Sequence, residues 1–178
     1  MNITVYLGAN KGNDPRLEEE VRKLGTWIGE NGHDLVYGGS SNGLMGILAQ
    51  AVKENGGKVT GVEPQFFIDA GFLYEDIDEL IVTQDMSERK KKMIELGDAF
   101  IAFPGGTGTL EEIAEVMAKV SLGHLDAPCI LYDLDGYYEG LRIQLQKMKE
   151  KGLSTTERQK GIRFAKDLDE IEAILKEH

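Results

Sequence analysis

Short, largely apolar runs alternate with longer amphipathic stretches along the whole chain. Residues 3–7, 35–37, 59–62, 80–82, 99–103, 129–132 and 162–165 are short and continuous rather than alternating. That is the pattern of parallel strands covered on both faces. Between them, 16–31, 44–55, 87–96, 110–122 and 137–151 are long enough for crossover helices, and 168–176 follows the last run. Asp167, with Glu170 three residues on, predicts an N-terminal cap for that final helix. Strand–helix alternation predicts an α/β fold, a doubly wound, mainly parallel sheet with right-handed crossovers and helices on both faces. Without repeat, low-complexity tract or linker, one domain spanning 1–178 is expected. The stretch 66–78 is the least regular and reads as a loop or a short helix over the sheet edge.

Composition narrows the function classes. The 178 residues carry 20 Lys and Arg against 31 Asp and Glu, a formal charge of −11. Polyanions are drawn to basic surfaces, so neither nucleic acid nor an anionic membrane is an expected partner. The one cysteine, Cys129, excludes an intramolecular disulfide and fits a reducing compartment. No apolar run reaches the roughly 18 residues of a membrane span. The first residues lack the basic and apolar regions of a secretion signal. A soluble, cytoplasmic protein is the expectation. His33, His124 and His178 are scattered without ligand spacing, so no metal site is expected.

Twenty-two glycines against four prolines is the unusual feature, and three glycine-bearing loops fall at strand ends. In an open parallel sheet, ligands bind beyond the carboxyl ends of the strands. The first loop is Gly8–Gly12. The second, 38–46, reads GGSSNGLMG, where Gly38, Gly39 and Ser40 suit a strand end close to a ligand and Gly43 and Gly46 suit close packing. The third is Pro104-Gly105-Gly106-Thr107-Gly108-Thr109, immediately before a helix. Small residues let backbone approach a ligand, and the free N–H groups and dipole of the following helix attract anions. That predicts a phosphate cradle, with Thr107 and Thr109 adding hydroxyls. A tight strand–helix turn capped by Thr109 would account for the same residues. The loop lacks the Gly-Lys-Ser/Thr of a P-loop, and the first loop lacks GxGxxG.

Two charged residues fall on apolar rows. Arg89 is three residues from Met86, four from Met93 and seven from Leu96, where a charge is costly unless paired. It reads either as a structural ion pair or as a guanidinium aimed at phosphate or substrate oxygens. Glu112 shares a row with Val116 and Val120, so it is expected to face inward, whereas Glu111 serves the helix dipole. A carboxylate just past a phosphate cradle could stabilise a developing cation or activate water. Asp85 and Glu88 form a capping-box pair for the helix that carries Arg89. Trp27, Phe66, Phe67, Tyr137 and Tyr138 read as packing rather than as a stacking platform.

Three segments together carry a family resemblance. PGGTGTLEE at 104–112 fits PGGxGTxxE, GGSSNGLMG at 38–46 is similar to GGGxxGLMG, and MSERK at 86–90 resembles MHxRK. The combination resembles the LOG (Lonely guy) family of cytokinin riboside 5′-monophosphate phosphoribohydrolases, long mislabelled as lysine decarboxylases. The resemblance implies a modified Rossmann fold, a homodimer joined through helices around 87–122, and no cofactor. It also implies cleavage of the N-glycosidic bond of AMP or N6-modified AMP, releasing free base and ribose 5-phosphate. It puts catalysis on Arg89 and Glu112, with Gly105, Gly106, Gly108 and Thr109 around the 5′-phosphate. Met86 and Lys90 become contacts to base and phosphate. Arg89 would pair with Glu112 in the empty site and keep it ionised at neutral pH. Ser87 stands where the motif has His, Ser40 where it has a third Gly, and 117–123 departs from the plant-type ITWxQLG, which leaves the base preference open. A nucleotide-binding or sensor module without turnover is the alternative. A decarboxylase is the weaker one, because no lysine stands in a context suited to pyridoxal phosphate.

Overall fold

The computed structural model describes residues 1–178. The seven apolar runs become β1 (Asn2–Tyr6), β2 (Asp34–Tyr37), β3 (Val59–Pro64), β4 (Glu79–Thr83), β5 (Ala99–Ala102), β6 (Cys129–Tyr132) and β7 (Ile162–Ala165). The helices are α1 (Arg16–Glu30), α2 (Gly43–Glu54), α3 (Gln65–Asp69), α4 (Met86–Leu96), α5 (Thr107–Ser121), α6 (Glu139–Glu150), α7 (Thr156–Gln159) and α8 (Leu168–Glu177). One sheet runs in the order β4-β3-β2-β1-β5-β6-β7, and every neighbouring pair is parallel. The expected sheet is therefore present and wholly parallel.

Alternation along the strands divides the core in two. Ile3 and Val5 of β1 point to the face covered by α1, α2 and α8, packing with Leu24, Leu48 and Ile171. Tyr6, Phe100 and Ala102 point to the other face, against Met93 of α4, Ile113 and Val116 of α5, and Leu145 of α6. The Thr4 hydroxyl donates to the Met93 carbonyl at 3.1 Å, fixing α4 against β1. The backbone N–H of Glu88 donates to Asp85 Oδ1 at 2.8 Å and that of Glu170 to Asp167 Oδ1 at 2.9 Å, so both expected caps form. No helix is long and apolar enough to cross a membrane.

Differences from the sequence reading are local. Helix α5 starts at Thr107, three residues before the apolar periodicity begins, because Thr107, Gly108 and Thr109 of the loop are already helical. Thr109 is therefore inside the first turn and is not the cap; Gly106 holds that position. The stretch 66–78 contains short α3 followed by an extended return whose Leu73 bridges Ser40. Helix α7, capped by Thr155, is too short to show a period.

This topology fixes where a ligand can sit. From β1 the chain winds outward through β2, β3 and β4, then returns through α4 to place β5 on the other side of β1 and winds away through β6 and β7. The connections leave β1 and β5 in opposite directions, opening a crevice at their carboxyl ends.

Candidate active site

A cavity of about 1080 Å³ fills that crevice, at the large end of ligand sites. Its walls come from 8–13 after β1, Gly38, Ser40 and 42–45 after β2, Glu63 of β3, Phe67 and Phe72 beyond it, Met86, Arg89 and Met93 of α4, 104–109 and Glu112 around the start of α5, and Tyr137. The three glycine loops therefore converge.

The cradle is backbone. The first N–H groups of α5 have no intrahelical carbonyl to bond, and the helix dipole adds positive character. Gly106 and Gly108 are exposed, and a Cβ on either would meet no atom within 4 Å. Gly105 is different: a Cβ there would collide with Thr109 Oγ1 and lie 2.9 Å from the Gly8 nitrogen, so β1 and β5 loops meet through it. The Tyr137 hydroxyl donates to the Gly105 carbonyl.

Arg89 and Glu112 meet in the interior. Arg89 is 7% and Glu112 8% exposed, and Arg89 Nη1 donates to Glu112 Oε1 at 2.5 Å. Arg89 Nε donates to the Val62 carbonyl at 3.0 Å, so the guanidinium is oriented from β3 as well. Burial pushes the Glu112 carboxyl above the ordinary glutamate range, and the Arg89 charge opposes it. Burial and the ion pair thus act on Glu112 in opposite directions, burial being the larger influence. The Tyr6 hydroxyl is pushed up mainly by burial and further by the charge on Glu112.

The second loop makes room for side chains. A Cβ on Gly38 would collide with Arg89 Nη2, and one on Gly39 would lie 2.5 Å from Glu63 Oε2. Gly39 has φ +85° and Gly43 φ +55°, a region open mainly to glycine. At Gly43 a side chain would also strike the carbonyl of Ala9. Its close packing is thus loop on loop rather than helix on sheet.

The structure brings Met86, Arg89, Glu112, Ser40, Gly105, Gly106, Thr107, Gly108 and Thr109 to one cavity. Two expected residues do not line it. Lys90 turns to α5 and pairs with Glu111 at 2.7 Å and Glu115 at 3.5 Å, since it lies one residue, about 100° of helix, from Arg89. Gly39 lies against Glu63, outside the wall. Phe67 and Tyr137, expected as packing, do line the cavity. Glu63 escapes a sequence reading because a single acid ending an apolar strand resembles any solvated strand end. It is nevertheless 3% exposed, and its Oε2 is buried without a hydrogen-bond partner.

Comparison with known proteins follows the same lines. A family model described as "possible lysine decarboxylase" matches residues 45–175. Two Arabidopsis thaliana proteins named cytokinin riboside 5′-monophosphate phosphoribohydrolase, LOG7 and LOG4, are each 38% identical over 176 residues. The match covers 99% of this chain and 81% and 82% of theirs. Among solved structures, the molybdenum cofactor binding protein of Rippkaea orientalis superposes with TM-score 0.72 at 21% identity, over 99% of this chain and 95% of that one. The molybdenum cofactor carrier protein of Chlamydomonas reinhardtii gives 0.71 at 25%, over 99% and 96%. With the family model covering most of the chain and relatives of this identity matching nearly all of it, the chain belongs to the LOG family.

Proposed function

We propose that this chain, as one nucleotide-binding domain over 1–178, hydrolyses the N-glycosidic bond of a nucleoside 5′-monophosphate. AMP or an N6-modified AMP is the substrate, and the free base and ribose 5-phosphate are the products. The observation that carries the reading is the buried Arg89–Glu112 pair beside an open backbone cradle in one cavity. The 5′-phosphate rests on the N–H groups from Gly106 to Thr109. Breaking the glycosidic bond builds positive charge on the sugar, which the Glu112 carboxylate stabilises while orienting the attacking water. Arg89 holds sugar or phosphate oxygens and gives up part of its hold on Glu112 when substrate enters. The names of the Arabidopsis relatives support this substrate class.

The same reading carries a cytoplasmic location and a homodimer, the latter supported by Leu110 of α5 and Leu122 just after it, which expose 46% and 60% of their surface. Sedimentation equilibrium checks it; a monomer at micromolar concentration rejects it. The likeness to a molybdenum cofactor carrier favours a second reading, binding without turnover. An assay for ribose 5-phosphate across nucleoside monophosphates, with Glu112→Gln as control, separates the two. Product from the native protein alone supports hydrolysis; AMP binding without product supports the carrier. Decarboxylation of lysine fits the residues poorly, because it needs a lysine to hold pyridoxal phosphate. The lysine on the cavity wall, Lys11, is largely exposed and paired with Glu18 at 3.0 Å.

A further inference from the structure

The cavity contains a second buried glutamate, and the two differ in company. Glu112 is held by Arg89. Glu63 has no ion-pair partner, and its Oε2 lies buried against Gly39 without a hydrogen bond. Buried polar atoms are rarely left unpaired, and each exception calls for a reason.

Position supplies one. Glu63 is the next-to-last residue of β3, and the proposed phosphate cradle follows β5, with β2 and β1 between them. Three strand spacings separate the two ends by roughly 14 Å, comparable with the length of an extended mononucleotide. Arg89 and Glu112 lie between. Besides the backbone N–H groups of the cradle, the lining includes the apolar side chains of Met45, Phe67, Phe72 and Met86. Phe67 and Phe72 meet edge to face at 6.1 Å. Apolar and aromatic walls suit the flat faces of a base. A nucleotide with its phosphate on the cradle and its sugar at Glu112 thus extends its base toward Glu63.

Resting on the nucleotide reading above, we propose that Glu63 is a second catalytic residue, an acid that protonates the base as it departs. The C1′–N bond breaks with its electron pair remaining on the ring nitrogen. Glu63 transfers its carboxyl proton to another ring nitrogen, so the base leaves neutral. Water adds to C1′ and gives its proton to Glu112. Glu63 then regains a proton from solvent and Glu112 loses one, leaving a net consumption of one water. The surroundings keep the acid charged with its proton. Burial pushes Glu63 up to about 7, against the lowering influence of Arg89 on α4. The other ionisable group facing it is the Tyr37 phenol of β2, which burial, the charge on Glu63 and Tyr74 push upward, so it stays neutral.

The test compares native protein, Glu63→Gln and Glu63→Asp from pH 5 to 9. One substrate is AMP, and the other is ribose 5-phosphate joined at C1′ to 4-nitrophenolate, a leaving group that departs without a proton. With AMP, native kcat/KM should fall as pH rises through about 7. Glu63→Gln should lose on the order of 10²–10³-fold and the fall with it. It should lose far less with the nitrophenyl substrate. Glu63→Asp, still an acid, should keep the fall. Equal losses on both substrates, no loss with AMP, or a Glu63→Asp profile like that of Glu63→Gln overturns the proposal. Native protein that releases ribose 5-phosphate from neither substrate overturns the nucleotide reading itself, and this proposal with it.

Discussion

The two ends of the cavity use glycine for opposite purposes. At the β2 end, the space beside Gly38 and Gly39 is taken by the protein's own Arg89 and Glu63. At the β5 end, the space beside Gly106 and Gly108 is open. One end holds the side chains proposed to do the chemistry, and the other offers the backbone proposed to hold the ligand. Identical residues therefore carry different costs of substitution, and a glycine-rich loop is not by itself a phosphate site.

Substitutions can break or sharpen this contrast. The largest effect is expected at Glu112. Glu112→Gln should lower kcat by 10²–10⁴-fold, the order expected of a general base. AMP affinity, read by calorimetry, should stay within a few-fold, since the cradle is untouched. Loss of affinity together with rate would merge the two ends. Gly38→Ala comes next. Its methyl group displaces Arg89, so unfolding in urea should show a loss of about 1–3 kcal/mol, as for overpacking, together with reduced turnover. Gly106→Ala should do the reverse. Stability should hold within about 0.5 kcal/mol, as at surface sites, because the methyl group meets open space. Affinity for AMP should weaken by about tenfold, or 1.4 kcal/mol. A Gly106→Ala protein that unfolds easily, or binds AMP normally, contradicts an open cradle.

The smallest effect concerns pH and folding. Glu63 is raised in the folded state to about 7 but not in the unfolded chain. Between the ordinary glutamate value and about 7 the folded protein holds the extra proton, so stability falls as pH rises through that window and levels off above it. Glu63→Gln has no such proton. Its stability relative to the native protein should improve between pH 5 and pH 8 in urea melts. A constant difference across that range would mean that Glu63 is solvated.

Strands were legible as short continuous apolar runs, crossover helices because each is long enough to show its period, and both caps because their partners are three residues apart. Arg89 and Glu112 stood out as charges on otherwise apolar rows. Three things were not legible. The start of α5 was hidden by glycines that carry no periodic signal. The direction of Lys90 depends on Glu111 and Glu115 of another helix. Glu63 is buried against Gly39, which lies outside its own strand, so no local pattern marks it.

The order of the sheet also governs how the site is born. Ile3 pairs with Ala99, so β1 remains an open edge while β2, β3 and β4 are made and laid down on its other side. Arg89, whose place is beneath Gly38, leaves the ribosome before Glu112 does. The acid that pairs with it stands 23 residues further on, so the ion pair closes only once α5 has been made.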